Sequence, residues 1–173
     1  MSYRYLKNWK NERVLNSLNH DSRLSIMDDH PLTDRLMDKK GHNFKVQVLK
    51  QRSLYNKSSS KVNVAMKNEI GIYRSVLLST DHYPCIQAYT FMPERHIYGK
   101  DRFLRILGSR SLGTYILKTK RFEKKEVVYK IISDLVHRIV TYKNGKKVIY
   151  VNEIFPKDFR LKKTSILNAR GQL

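Results

Sequence analysis

The sequence has few of the residues that cross-link or interrupt a chain: one cysteine, four prolines and seven glycines among 173 residues. The single cysteine, Cys85, excludes an internal disulfide framework and any metal site built from several cysteines. No apolar run approaches the roughly 18 residues that a membrane span needs, and the basic start of the chain lacks the apolar stretch of a secretory signal. We expect a single domain over residues 1–173, with a basic N-terminal extension and helix over residues 1–25 and a flexible tail over residues 162–173.

Acidic residues are scarce, 15 against 35 lysines and arginines, and the net charge is +20. Such a charge suits a polyanion such as nucleic acid, a small anionic ligand drawn in by the field, or a plain solvated surface. The basic residues are spread along the chain, and no zinc finger, RNP-type strand or basic zipper is present. The sequence therefore gives nucleic acid little support, and we expect a monomer that binds a small molecule.

Signatures of cofactor chemistry are also missing. The six histidines show no metal-ligand spacing, and there is no phosphate-binding loop, nucleophile elbow or dinucleotide fingerprint. We expect no metal and no cofactor.

The stretch around which the chain is organised runs over residues 70–93 and is typical of two strands joined by a short polar turn. Alternate side chains of a strand share a face, so Arg74 stands alone among apolar neighbours on the first strand. A buried guanidinium cannot shed its charge and needs an anionic partner. That partner is either a carboxylate of this protein or one brought by a ligand. The residues that share this face of the hairpin are Ile72, Arg74, Val76 and Leu78 with Ile86, Ala88, Thr90 and Met92.

Glu153 is the acidic counterpart of Arg74, because it shares a predicted strand face with Ile149, Val151 and Phe155. One interpretation is a structural salt bridge, with each other or with neighbours, although burial costs several kcal/mol per ion. The other places both in a pocket, where Arg74 grips a ligand carboxylate and Glu153 handles a proton or hydrogen-bonds a hydroxyl. The pattern alone leaves both interpretations open.

The remaining elements are weaker predictions. A helix is expected to start at Pro31 and to end at Gly41, and a serine-rich loop over residues 55–63 is expected to be mobile. Gly108 and Gly113 allow either a close approach to a ligand or a tight turn after a helix. Further helices are predicted over residues 7–18 and 100–107, and further strands over residues 44–49, 126–132, 137–142 and 147–154, the last two joined at Asn144-Gly145.

Four of these segments, in this order, resemble motifs of the chorismate–pyruvate lyase (4-hydroxybenzoate synthetase) family over about residues 26–160. They are the segments at residues 29–36 with 44–49, 73–78 with Pro84, 107–113 (LGSRSLG, similar to LGxxPLG) and 152–156 (NEIFP). The chain is most similar to the cyanobacterial and red-algal plastid branch. The resemblance implies an α+β fold, a six-stranded antiparallel sheet with helices packed on it, and a closed site under two flaps.

The resemblance also implies an activity: conversion of chorismate to 4-hydroxybenzoate and pyruvate for quinone biosynthesis, without metal or cofactor. Arg74 matches the arginine that binds the aromatic carboxylate, and Glu153 matches the glutamate beside the ring oxygen. Leu32 and Leu112 match positions whose backbone N–H groups hold the same carboxylate. Catalysis is thus expected from Glu153 and Arg74, and binding from all four residues.

Two departures from the family pattern bear on activity. Ser111 stands where proline is usual, which would loosen a flap, and Tyr89 stands where some bacterial lyases carry a second arginine. Two alternatives therefore remain. One is a non-catalytic sensor of small aromatic acids, since the ligand-binding domains of GntR-type repressors look similar in fold. The other is a basic nucleic-acid-binding protein. The expected location is the plastid stroma, with a bacterial cytoplasm as the alternative.

Overall fold

The computed structural model describes residues 9–30, 32–37, 43–56 and 69–161. Within these ranges six strands form one antiparallel sheet, in the order β1-β2-β3-β6-β5-β4. Two three-stranded meanders, β1-β2-β3 and β4-β5-β6, meet where β3 pairs with β6. The strands are β1 (Lys45–Asn56), β2 (Glu69–Ser79), β3 (Ile86–Pro93), β4 (Glu123–Ile132), β5 (Leu135–Asn144) and β6 (Lys147–Pro156).

Short helices precede the sheet and fill the connection between β3 and β4. The sheet and these helices together confirm the predicted α+β class and six-stranded antiparallel sheet. None of the helices in the described ranges is long and apolar enough to cross a membrane. In the part of the chain that the structure describes, the α-helices are α1 (His20–Met27), α2 (Leu32–Leu36) and α3 (Leu112–Thr119), and the 3-10 helices are Glu12–Ser17, Glu94–His96 and Gly99–Ile106.

The β2–β3 hairpin pairs the residues that the sequence places together on one face. Arg74 lies opposite Thr90, and Val76 lies opposite Ala88. On the far side of β3, Thr90 lies opposite Val151 and Ala88 lies opposite Glu153. Arg74 and Glu153 therefore occupy the same face of the sheet, two strands apart.

Strand β1 is twice as long as predicted, because a bulge hides its second half from the alternation pattern. The pairing with β2 shifts register between Val48 and Lys50, so that Leu49 is an extra residue. An extra residue exchanges the two faces of the strand beyond it. As a result Gln51, and not Lys50, lies opposite Arg74.

The predicted hairpin at Asn144-Gly145 forms, with its turn one residue further on. Asn144 still pairs with Lys147, so the turn residues are Gly145 and Lys146.

The N-terminal region differs from the prediction. The helix expected over residues 7–18 is a 3-10 helix over Glu12–Ser17, and α1 follows it. The α1 helix begins after Asn19, whose side chain accepts a hydrogen bond from the Ser22 N–H at 2.8 Å, a common N-cap. Leu15 and Ile26 are fully buried, so this region is part of the core.

Two apolar clusters pack on the helix-covered face of the sheet. One joins α1 and α2 to β2, β3 and β6 around Ile26, Leu36 and Phe155. The other joins α3 and the Gly99–Ile106 helix to the sheet around Leu104 and Ile116. Arg74 lies between them, since Val76 belongs to the first cluster and Ile72 to the second.

Several predictions concern segments outside the described residues. These are the helix start at Pro31, the helix end at Gly41, most of the serine-rich loop and the tail over residues 162–173.

Candidate active site

A cavity lies on the sheet face between the two apolar clusters, under the N-terminal ends of α2 and α3. The space in which the centre of a water molecule can lie is about 60 Å³. This is several times what one water requires. The four residues predicted for the site, Arg74, Glu153, Leu32 and Leu112, all line it. Most of the remaining lining is apolar or carries a hydroxyl: Thr33, Val46, Val76, Leu78, Ala88, Thr90, Ser111, Gly113, Ile116, Tyr142 and Val151.

Arg74 is 2% exposed and is held by uncharged acceptors. Its Nη1 donates to Gln51 Oε1 at 2.6 Å, and its Nη2 donates to the carbonyl oxygen of Arg110 at 3.1 Å. Among the described residues no carboxylate forms an ion pair with it, and burial lowers the pKa of the guanidinium. The positive charge in this cavity therefore lacks a counter-ion from the described part of the protein.

Glu153, in contrast, is paired. Its Oε2 accepts a hydrogen bond from Arg138 Nε at 2.6 Å across the β5–β6 ladder. Arg138 also donates to the carbonyl oxygens of Ile26 and Asp28, at 2.6 and 3.0 Å. Burial lowers the pKa of Arg138, but the Glu153 carboxylate outweighs burial and the pKa is raised. The pair fixes Glu153 and ties the end of α1 to the sheet.

The two site charges form no ion pair with each other, but the structural salt bridge with a neighbour is present for Glu153, through Arg138. Of the two interpretations of these charges, the structural one therefore holds for Glu153 and not for Arg74 among the described residues. They lie on strands separated by β3, and neighbouring strands are ~4.8 Å apart, which separates the two backbones by about 10 Å. The cavity therefore offers an uncompensated cation on one strand and a carboxylate two strands away. A small ring with an acidic group at one end and an oxygen at the other suits this arrangement.

The ends of two helices cover the cavity. Leu32 and Leu112 are the first residues of α2 and α3, and the first N–H groups of a helix have no acceptor within that helix. The two ends touch: Thr33 Oγ1 and Ser111 Oγ are hydrogen-bonded at 2.8 Å. A Cβ atom on Gly113 would lie 2.8 Å from Thr33 Oγ1. Gly113 therefore permits a close approach between helices, whereas Gly108, with φ +57°, makes the turn.

The family profile described as chorismate lyase matches residues 7–161, most of the chain. The chain belongs to the chorismate lyase family. A search of curated proteins finds no match.

Ser111, where chorismate lyases usually have proline, makes contacts that proline cannot make. Besides its bond to Thr33, its hydroxyl accepts a hydrogen bond from the Thr114 N–H at 3.3 Å. This is an N-cap for α3. The contacts link α3 to α2 at the position where the sequence predicts a loosened flap.

Tyr89, the second departure from the family pattern, lies away from the cavity. It follows Ala88 on β3 and therefore points to the other face of the sheet, where its ring stacks on Tyr73 with centroids 6.0 Å apart. The loss of an arginine at this position removes no charge from the cavity described here.

Sequence reasoning missed three residues of the site: Gln51, Arg138 and Tyr142. Arg138 had a detectable signal, since it is a lone cation in the apolar face Val136, Arg138, Val140. Gln51 had none, because the bulge at Leu49 sets its direction. Tyr142 lines the cavity, and burial, followed by the nearby Glu153 charge, raises its pKa, so its hydroxyl stays neutral.

No group of three histidine, cysteine or acidic residues that could hold a metal ion occurs in the part of the chain that the structure describes.

Proposed function

We propose that this protein converts chorismate to 4-hydroxybenzoate and pyruvate. The observation that carries the proposal is the buried Arg74, which lines a cavity together with Glu153 and whose hydrogen-bond acceptors among the described residues are uncharged. Burial of an unpaired ion is costly, so a site of this kind is built for an anion. Membership of the chorismate lyase family supports chorismate as that anion.

Binding would fix the ring carboxylate of chorismate at the Arg74 end. A guanidinium carries five N–H donors, and the two bonds to Gln51 and Arg110 leave donors for a ligand. The backbone N–H groups of Leu32 and Leu112, at the starts of α2 and α3, would complete the carboxylate site.

Chemistry would take place at the Glu153 end. The C–O bond of the enolpyruvyl ether breaks, the neighbouring ring carbon loses its hydrogen, and the ring becomes aromatic; the hydrogen ends on the departing three-carbon unit as pyruvate. Arg138 engages one oxygen of Glu153, Oε2, and holds the carboxylate in place. Glu153 would therefore act as an acceptor, for the ring hydroxyl or for a proton.

The protein's contribution is positioning and placed charge. Aromatisation supplies the driving force, so the site has to hold the substrate in a reactive geometry and exclude water. Orientation and fixed charges of this kind lower a barrier by several kcal/mol. We further propose that the product supplies quinone head groups and that the protein works in a plastid stroma, or alternatively in a bacterial cytoplasm.

The test is an assay of purified protein with chorismate, in which 4-hydroxybenzoate and pyruvate are followed together. We expect equal formation of both, abolished in Arg74→Ala and Glu153→Ala. Binding of 4-hydroxybenzoate by calorimetry separates the two roles, because Arg74→Ala should lose binding while Glu153→Ala retains it. Tight binding without turnover in the natural protein would indicate a sensor on the lyase fold, and neither binding nor turnover would refute the proposal.

A further inference from the structure

Gln51 is one of the two hydrogen-bond partners of Arg74 among the described residues. Its side chain accepts a 2.6 Å hydrogen bond from Arg74 Nη1. Because a guanidinium can only donate, the amide oxygen must face Arg74 and the amide NH₂ must face away. The amide nitrogen donates to the carbonyl oxygens of Arg105 at 2.7 Å and Leu104 at 3.4 Å. The amide is thereby fixed between the 3-10 helix and the arginine.

The backbone provides for this contact in two ways. The bulge at Leu49 turns Gln51 to the cavity face and places it opposite Arg74. The carbonyls it engages belong to the last turn of the Gly99–Ile106 helix, where no donor remains within the helix. The bulge in β1 and the end of the 3-10 helix thus both fix the Gln51 side chain.

The chemical identity of Gln51 matters as much as its position. A glutamate has the same size, but its charge would pair with Arg74 and occupy the cation that a ligand needs. Its second oxygen would also face the carbonyl oxygens of Arg105 and Leu104, to which it cannot donate a hydrogen bond. An amide oxygen orients the guanidinium and leaves its charge uncompensated. The Arg110 carbonyl, the other partner of Arg74, is likewise uncharged.

We propose that Gln51 is a positioning residue that holds Arg74 in the geometry for a ligand carboxylate while leaving the charge of Arg74 free. The inference rests on the proposed function, since it assigns Gln51 a role in the same carboxylate site. It predicts that residue 51 controls the preference of the site for an acid over a neutral isostere.

The experiment compares the affinities for 4-hydroxybenzoate and 4-hydroxybenzamide at pH 7 by calorimetry. Both ligands have the same ring and nearly the same shape, and only the first carries a charge. In Gln51→Glu the acid-to-amide preference should fall at least about tenfold, the order of one charge-assisted hydrogen bond. Gln51→Met, which removes the acceptor without adding charge, should lower the same ratio several-fold.

Gln47 provides a matched control. It lies on the same strand before the bulge, opposite Leu77, and is exposed. Gln47→Glu introduces the same charge and should leave the acid-to-amide ratio within about twofold of the natural protein. Thermal unfolding of each variant shows that it is folded.

The outcomes separate the inference from the proposed function. An unchanged ratio in both Gln51 variants would overturn the inference, and so would an equal loss of acid and amide binding, which is the signature of a merely structural role. If the natural protein shows no preference for the acid, the carboxylate site itself is refuted, and this is visible without any variant.

Discussion

At the residue scale, the interior charges fall into two kinds. Arg138 and Glu153 satisfy each other, and fully buried Asp101 accepts hydrogen bonds from Lys147, Arg121 and Tyr115. Such groups recover much of their desolvation cost through their partners. Within the described residues Arg74 has only uncharged acceptors, so the cost of burying its charge is offset when a ligand anion enters. Arg74 is therefore a residue whose burial lowers the stability of the free protein and favours the binding of an anion.

The Asp101 network predicts a dependence of stability on pH. Burial acts to raise the pKa of Asp101, but hydrogen bonds from Lys147 and Tyr115 outweigh it and the pKa lies below the usual 3.8. A lowered pKa in the folded state stabilises the protein above 3.8, and this contribution disappears as the pH falls through the folded-state value. The Asp101→Asn substitution should therefore lower the free energy of unfolding by about 3–5 kcal/mol at pH 7.

Urea unfolding between pH 7 and pH 2 measures this. The difference in unfolding free energy between the natural protein and the Asp101→Asn variant should be constant near neutral pH and should shrink below pH 3.8. Asp134→Asn is the control, because Asp134 pairs with Lys157 at the surface with its side chain 96% exposed and such pairs contribute little. A difference that stays constant down to pH 2 would contradict the prediction.

At the element scale, the contact between α2 and α3 should control the cavity. A methyl group at position 113 would meet Thr33 Oγ1 at 2.8 Å, so Gly113→Ala should force the two helix ends apart. We expect the free energy of unfolding to fall by about 1–3 kcal/mol, typical of overpacking, and the binding of 4-hydroxybenzoate to weaken. Thermal unfolding and calorimetry measure the two effects.

The double variant Gly113→Ala/Thr33→Ala tests whether the contact itself is responsible. Removing Thr33 Oγ1 takes away the atom that the new methyl group meets, so the second substitution should cost less in the Gly113→Ala background than in the natural protein. Strict additivity of the two losses would show that Gly113 matters for another reason.

Elements whose local pattern matches their environment could be predicted from the sequence. Uninterrupted alternation gives the residues that share a face of the β2–β3 hairpin and marks Arg74 and Glu153 as lone charges in apolar rows. That the two lie on the same face of the sheet depends on the pairing of β3 with β6, which alternation does not show. The bulge at Leu49 breaks that alternation, and for this reason half of β1 and the role of Gln51 were missed. Helix α3 was missed because the glycines flanking Ser111 suggested a turn, although a serine before Leu112 is a helix-start signal.

At the scale of the whole molecule, the net charge of +20 should act on the rate at which an anion arrives. A strong positive field speeds association of anions by tenfold or more at low salt. The Debye length falls from ~30 Å at 0.01 M to ~3 Å at 1 M salt. The association rate constant of 4-hydroxybenzoate should therefore fall about tenfold over this range, whereas that of 4-hydroxybenzamide should stay nearly constant. Stopped-flow kinetics measures both.

The same positive field attracts nucleic acid. A substitution of Arg74 distinguishes binding of a small acid in the cavity from binding of nucleic acid at the surface. Arg74 is buried in the cavity, so Arg74→Ala should abolish carboxylate binding while it leaves weak, salt-sensitive binding of RNA unchanged. Surface contacts to phosphates give a steep salt dependence without any need for a buried arginine. If RNA bound tightly at about 0.15 M salt and 4-hydroxybenzoate did not bind at all, the charge would be the functional feature and the cavity would not. A salt effect confined to the association rate of the acid, with its dissociation rate unchanged, is what a steered small-molecule site requires.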